Sequence, residues 1–115
     1  MRRIGSHLLG LDQGEVTVFV DYDKGGPMWS GSGHREARAR VRFSQPFFEA
    51  PLVIVGMAML DSHCEANLRV EARAENIDIR GFDAVIGTWG DTRLAQARLS
   101  WTALGALKHE EDWQL

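Results

Sequence analysis

The sequence predicts an all-β fold, a six-stranded antiparallel β-sandwich, and three observations carry that prediction. Apolar residues recur with period two in almost every segment, the spacing that gives a strand one buried and one solvated face. No stretch offers an apolar i, i+3, i+4, i+7 stripe of helical length. Turn formers at Asp61-Ser62, Arg80-Gly81 and Gly90-Asp91 cut the chain into runs of strand length. With 115 residues, 44% hydrophobic and 25% charged, the chain is sized and composed for one packed core.

The elements follow in order. Residues 1–12 read as an N-terminal extension, 13–105 as the sandwich and 106–115 as a polar tail with Trp113 as its one aromatic. Val16, Val18 and Val20 share one face of a first strand. The segment from Asp23 to Gly33 is rich in glycine and small polar residues and too long for a tight hairpin. It reads either as a functional loop or as a connector that tucks Trp29 into the edge of the core. Ala37, Ala39, Val41 and Phe43 alternate with arginines on a second strand. The third, Leu52 to Leu60, places Leu52, Ile54, Ala58 and Leu60 on one side and Val53, Val55, Met57 and Met59 on the other. Both faces are apolar, so both want cover, and a homo-oligomer interface is the economical source of it. In the fourth strand Leu68, Val70, Ala72 and Ala74 face one way and Asn67, Arg69, Glu71 and Arg73 the other. A fifth runs near Phe82 to Trp89 and a sixth near Leu94 to Ala103.

Composition excludes several classes of function. A net charge of -3 leaves no electrostatic footprint for nucleic acid, and the ladder Arg35, Arg38, Arg40, Arg42 reads as a solvated strand face. With Cys64 as its one cysteine the chain forms no internal disulfide. The N-terminal stretch lacks an apolar run of signal-peptide length and no segment approaches a membrane span, so a cytoplasmic or particle-borne protein is expected, without membrane insertion. No cofactor is expected either. Asp61-Ser62-His63-Cys64-Glu65 gathers reactive side chains in one turn, but neighbouring side chains diverge there and no Cys/His cluster has ligand spacing. His7, His34 and His109 read as surface or loop residues.

What remains is Arg69 and Trp89, on successive strands and both turned away from the apolar face. A sugar offers hydroxyl edges and an apolar C–H face. The arginine fork can hold two oxygens together, and an indole can cover the face. The competing readings are a surface ion pair of Arg69 with Glu71 or Glu75, and an interface anchor for Trp89.

From about Arg35 to Leu104 a set of residues stands in a recognisable order: Arg35-Glu36, Val41-Arg42-Phe43, Pro51, Leu60-Asp61, Asn67-Leu68-Arg69-Val70, Gly81-Phe82, Thr88-Trp89, Thr92 and Ser100-Trp101. In this the chain resembles the H-type lectins, the family of the snail agglutinins and the discoidin C-terminal domains. The resemblance implies a six-stranded sandwich that assembles as a trimer, with sites near the subunit clefts for galactose or N-acetylgalactosamine. It places Arg69 on the family's sugar-binding arginine and Trp89 on the aromatic beside the sugar. Gly90 falls where the snail lectin has a histidine. Ser30 and Ser32 fall where it has a glycine and an aspartate that contact the sugar, and Ala95 replaces a tyrosine. Ser32 thus removes a charged acceptor, and Gly90 with Ala95 removes two ring contacts. The expectation is a non-catalytic, multivalent glycan-binding domain. The alternative is a structural tip, spike or fibre module that keeps the trimer with little or no sugar binding.

Overall fold

The structure is a computed structural model that describes residues 1–5 and 8–108. Six strands form two three-stranded antiparallel sheets: β1 (Leu9–Val20), β2 (Arg35–Arg42), β3 (Leu52–Ser62), β4 (Val70–Glu75), β5 (Gly81–Thr88) and β6 (Leu94–Ala106). One sheet has the order β1-β6-β3 and the other β2-β5-β4. The all-β sandwich read from period-two alternation is the fold observed. Among the described residues no helix is long and apolar enough to cross a membrane.

The inner faces meet through Phe43, Phe82 and Trp101, whose rings pack with centroids 5.6 to 6.0 Å apart. Around them lie Val18, Phe19, Val41, Ala84, Ile86, Leu94, Ala97 and Leu99. Gly14 pairs with Trp101 across β1 and β6, and a Cβ there would stand 3.1 Å from the indole. Gly81 is tighter still, because its Cβ would lie 2.1 Å from the Val41 carbonyl oxygen. At Gly14 the missing side chain lets the indole close on the backbone, and at Gly81 it lets the backbones of β2 and β5 approach.

Several boundaries and faces differ from the expectation. Residues 9–12, read as part of an extension, open β1, and Ala106, read as tail, closes β6. A bulge between Thr17 and Phe19 brings Phe19 into the core beside Val18, the place that strict alternation assigns to Val20. A second bulge, between Met57 and Met59, moves Leu60 to the inner face with Val53 and Val55. Leu68 precedes β4 and is exposed instead of facing inward with Val70. The connector carries a single helical turn, α1 (Pro27–Ser30), and the residue it buries is Met28, with Trp29 only half-buried. Trp113, His7 and His109 lie outside the described residues.

The arginine ladder is also different in kind. Arg35 faces inward and is 8% exposed, because on β2 it shares a face with Ala37, Ala39 and Val41. Arg38, Arg40 and Arg42 face outward. Arg38 is paired with Glu36, Glu75 and Asp83, and Arg40 with Asp78 and Asp83. Arg73 on β4 joins Glu36, Glu71 and Glu75 to the same lattice. The lattice lies over Val85, which is fully buried although it is on the outer face of β5. The Arg73–Glu36 hydrogen bond leads the causes that hold the Glu36 carboxyl below its usual range.

Candidate functional site

The strands β2 and β6 and the segments around 27–34, 63–69 and 89–93 converge at one end of the sandwich. Gly90 starts the turn after β5 with φ 70°, a left-handed conformation that glycine adopts without a Cβ penalty. That turn places Asp91 and Thr92 against the segment Asn67–Arg69. The Arg69 amide donates to Thr92 Oγ1 at 2.9 Å, and Thr88 Oγ1 donates to the Arg69 carbonyl at 2.5 Å. Thr92 Oγ1 also donates to the Asn67 carbonyl. Two buried threonine hydroxyls thus supply the partners that the segment ahead of β4 lacks from the ladder.

Val70 opposes Thr88 in the last pair of the β4–β5 register, and Arg69 and Trp89 are the residues directly beyond that pair. The Arg69 side chain donates from Nη1 to Asp91 Oδ1 at 3.0 Å, leaving other guanidinium donors directed to solvent. Its partner is therefore Asp91, in place of the Glu71 or Glu75 that the sequence suggested. Trp89 is 42% exposed, a large apolar surface beside a cation. Gly90 makes room for this arrangement, since a Cβ on it would stand 3.3 Å from Arg69 Nη1. Asp91 accepts from the Asn67 amide at 3.3 Å and from its side-chain Nδ2 at 3.2 Å. The Asn67 backbone bond first, then its side chain and the charge of Arg69, hold the Asp91 carboxyl below the usual range.

Arg35 ties the other loop to this turn. Its Nε donates to Gly33 O at 2.9 Å, and its Nη1 to Pro27 O, Gly31 O and Met28 O at 3.2, 3.1 and 3.3 Å. Its Nη2 donates to Thr92 O at 2.8 Å and to Gly90 O at 3.3 Å. A buried guanidinium here is balanced by carbonyl dipoles from two loops. The Gly33 amide adds a bond to Gly90 O at 2.9 Å, which brings Ser32 to the neighbourhood of Gly90.

Of the sequence-predicted residues, Arg69, Trp89, Gly90 and Ser32 therefore gather at one end. Ser30 turns back, donating from its hydroxyl to Gly25 O at 2.7 Å and Gly26 O at 3.0 Å. Ala95 is buried, its carbonyl accepting from the amides of Asp21 and Tyr22. Trp29 neither enters the core nor stands free. Arg93 lies over its ring at 4.2 Å, and His63 packs against it at 5.7 Å between centroids. Cys64 is an exposed thiol, and the described residues contain no group of His, Cys, Asp and Glu able to hold a metal. Asp91, Thr92 and Arg35 were given no site role from sequence. Asp91 carried a signal in being the acid next to Gly90, yet it read only as a turn residue.

Two three-stranded antiparallel sheets packed face to face, with an arginine and an exposed tryptophan at one end, define an all-β sandwich domain. The family model of the H-type lectin domain matches residues 38–104, and the chain belongs to that family, whose fold is a carbohydrate-binding lectin fold. It is 44% identical over 115 residues to the "ATP synthase subunits region ORF 7" product of Fuscovulum blasticum, covering all of this chain and 99% of that one. It is 32% identical to Discoidin-2 of Dictyostelium discoideum over 65% of this chain and 30% of that protein. A solved structure of discoidin II from the same organism superposes with a TM-score of 0.76 at 25% identity, over 91% of this chain and 40% of that one. The chain thus spans less than half the length of the discoidins it matches.

Proposed function

We propose that the chain is a non-catalytic lectin domain that binds the galactose or N-acetylgalactosamine type of cell-surface glycan through Arg69 and Trp89. The observation that supports this most is the placement of both residues directly beyond the Val70–Thr88 pair that ends the β4–β5 ladder, with Trp89 exposed and Arg69 held by Asp91. Arg69 would hold adjacent ring hydroxyls while Trp89 covers the apolar sugar face. Asp91 and Asn67 keep the guanidinium in place, and Gly90 and Ser32 form the rim.

Such a site is shallow, and millimolar affinity corresponds to roughly 4 kcal/mol. Useful binding then depends on several copies. The outer face of the β1-β6-β3 sheet supports a homotrimer: Leu11 and Leu52 flank Leu104 in one cross-strand row, with Leu9 and Ile54 beside it. Leu9, Leu11, Leu52 and Ile54 are all exposed. Three sites facing one glycan-coated surface gain on the order of 100-fold by avidity.

The test is a glycan array probed with the protein and its Arg69→Ala variant, with light scattering to show that both keep the same oligomeric state. Binding that disappears in the variant supports the reading and names the sugar. Absence of binding in both, with the oligomer intact, rejects it in favour of a structural module.

A further inference from the structure

The outer face of the β2-β5-β4 sheet is a lattice in which Arg38, Arg40 and Arg73 all meet carboxylates. The lattice stops at the end of the sandwich remote from Arg69. There Arg42 closes β2, and Arg80 immediately precedes β5. Arg42 pairs with Gly81, and the Phe43 amide donates to Arg80 O at 2.9 Å, so Arg80 lies one position off Arg42 across the two segments, and both side chains line the same depressions. Both are exposed, and no carboxylate pairs with either among the described residues.

Two adjoining depressions share these side chains. One of about 260 Å³ is lined by Arg40, Arg42, Asp78 and Arg80, and the other, of about 130 Å³, adds Ser44 and Gln45 to the same pair. Asp78 forms no ion pair with Arg42 or Arg80. Its Oδ1 accepts the amides of Arg80 and Gly81 at 2.7 and 3.0 Å, and its Oδ2 accepts Arg40 Nη2 at 2.7 Å. The cleft therefore holds three guanidinium groups against one carboxylate whose oxygens are already engaged.

We propose that Arg42 and Arg80 form a second binding site, for a single sulfate or phosphate ester group. Two planar forks that line one depression suit an anion with three or four acceptor oxygens, whereas a carboxylate is satisfied by one fork. The Gln45 amide offers a further donor in the same depression. The cleft fits one such group and not an extended polyanion. Two arginines neutralise about two phosphate charges, and the chain as a whole carries -3. The length of β2, eight residues, separates this site from the Arg69 end, roughly 23 Å at about 3.3 Å per residue. A domain gripping an anionic ester at one end and a neutral sugar at the other would bridge two ligands.

The side-chain Nε–Hε signals of arginines, followed by NMR during titration, test this. The probes are inorganic phosphate, inorganic sulfate and galactose 6-sulfate, with sodium chloride at matched ionic strength. Saturable shifts at Arg42 and Arg80 at millimolar probe, with Arg38 and Arg73 unmoved, support the site. The response should persist in Arg69→Ala protein and weaken about 10-fold or more in Arg42→Gln/Arg80→Gln, which leaves the Arg69 end untouched. Galactose 6-sulfate binding more tightly than inorganic sulfate supports a glycan-borne ester, and equal binding supports a free oxyanion. Shifts reproduced by chloride, or undiminished in the double variant with its fold intact, overturn the proposal.

Discussion

The Arg35 guanidinium donates to the Thr92 carbonyl oxygen at 2.8 Å across 57 residues of sequence. Through the same side chain the turn after β5 is joined to the connector between β1 and β2. Arg35→Ala would take this donor from the buried Met28 and Thr92 carbonyls, at about 1 to 3 kcal/mol for each group left unsatisfied. We expect a loss of about 2 kcal/mol or more in urea unfolding, with Arg35→Lys recovering part of it because an ammonium has three donors to share. Unchanged unfolding in the alanine variant would show that the two loops hold themselves.

Gly90 is the position where backbone conformation and site geometry meet. At φ 70° an alanine costs about 1 to 2 kcal/mol, and its Cβ would lie 3.3 Å from Arg69 Nη1. Asparagine tolerates the left-handed conformation better but puts a larger side chain against the guanidinium. The expected pattern is a lower melting temperature for Gly90→Ala than for Gly90→Asn, with weaker glycan binding in both. If Gly90→Asn binds as the parent does, the closeness of Gly90 to Arg69 has no role in recognition.

The fold was legible because alternation is a local signal. Leu94 to Ala103, or Ala37 to Phe43, reveals its inner face without reference to any partner strand. Bulges are not local in this sense: the extra residue between Met57 and Met59 changes which side Leu60 takes, and nothing in that apolar run marks it. Residue type alone makes Arg69 and Trp89 candidates, and the structure puts both at one end of the sandwich. The contacts around them were illegible, because they depend on which residue lies opposite. Asp91 becomes the partner of Arg69 only through the turn at Gly90, and Arg35 reads as one more rung of a ladder until β2 is given its parity.

Asp91 also sets a pH window. Bonds from Asn67 and the charge of Arg69 hold its carboxyl below the usual carboxylate range. A carboxyl with a depressed pKa in the folded state contributes fully above the unfolded value, and the contribution is lost as pH falls through the lowered folded value. Arg69 therefore stays positioned across neutral and mildly acidic pH and loses its partner only in stronger acid. Glycan binding followed by titration should be flat from neutral pH to about pH 5 and fall in stronger acid. In Asp91→Asn, binding should already be weak at neutral pH. A drop centred near the histidine range would contradict the role given to Asp91.

The row Leu11, Leu104, Leu52 bears on assembly. Leu11 is 64% exposed and Ile54 60%, on a sheet whose opposite face is the core. Covering each such side chain contributes about 1.5 to 3 kcal/mol, so an interface that buries several of them outweighs part of the entropic cost of association. Leu52→Lys would bring an ammonium into that row, where burial without a partner is unfavourable. Leu68→Lys changes an equally apolar exposed residue at the Arg69 end, outside the row. Light scattering over a dilution series should find the parent and Leu68→Lys as the same oligomer and Leu52→Lys as a folded monomer. The parent's melting temperature should rise with concentration, as it does for any fold stabilised by association, and that dependence should vanish in Leu52→Lys. A parent that is monomeric at every concentration, or a Leu52→Lys variant that assembles normally, would place the subunit contact elsewhere or remove it.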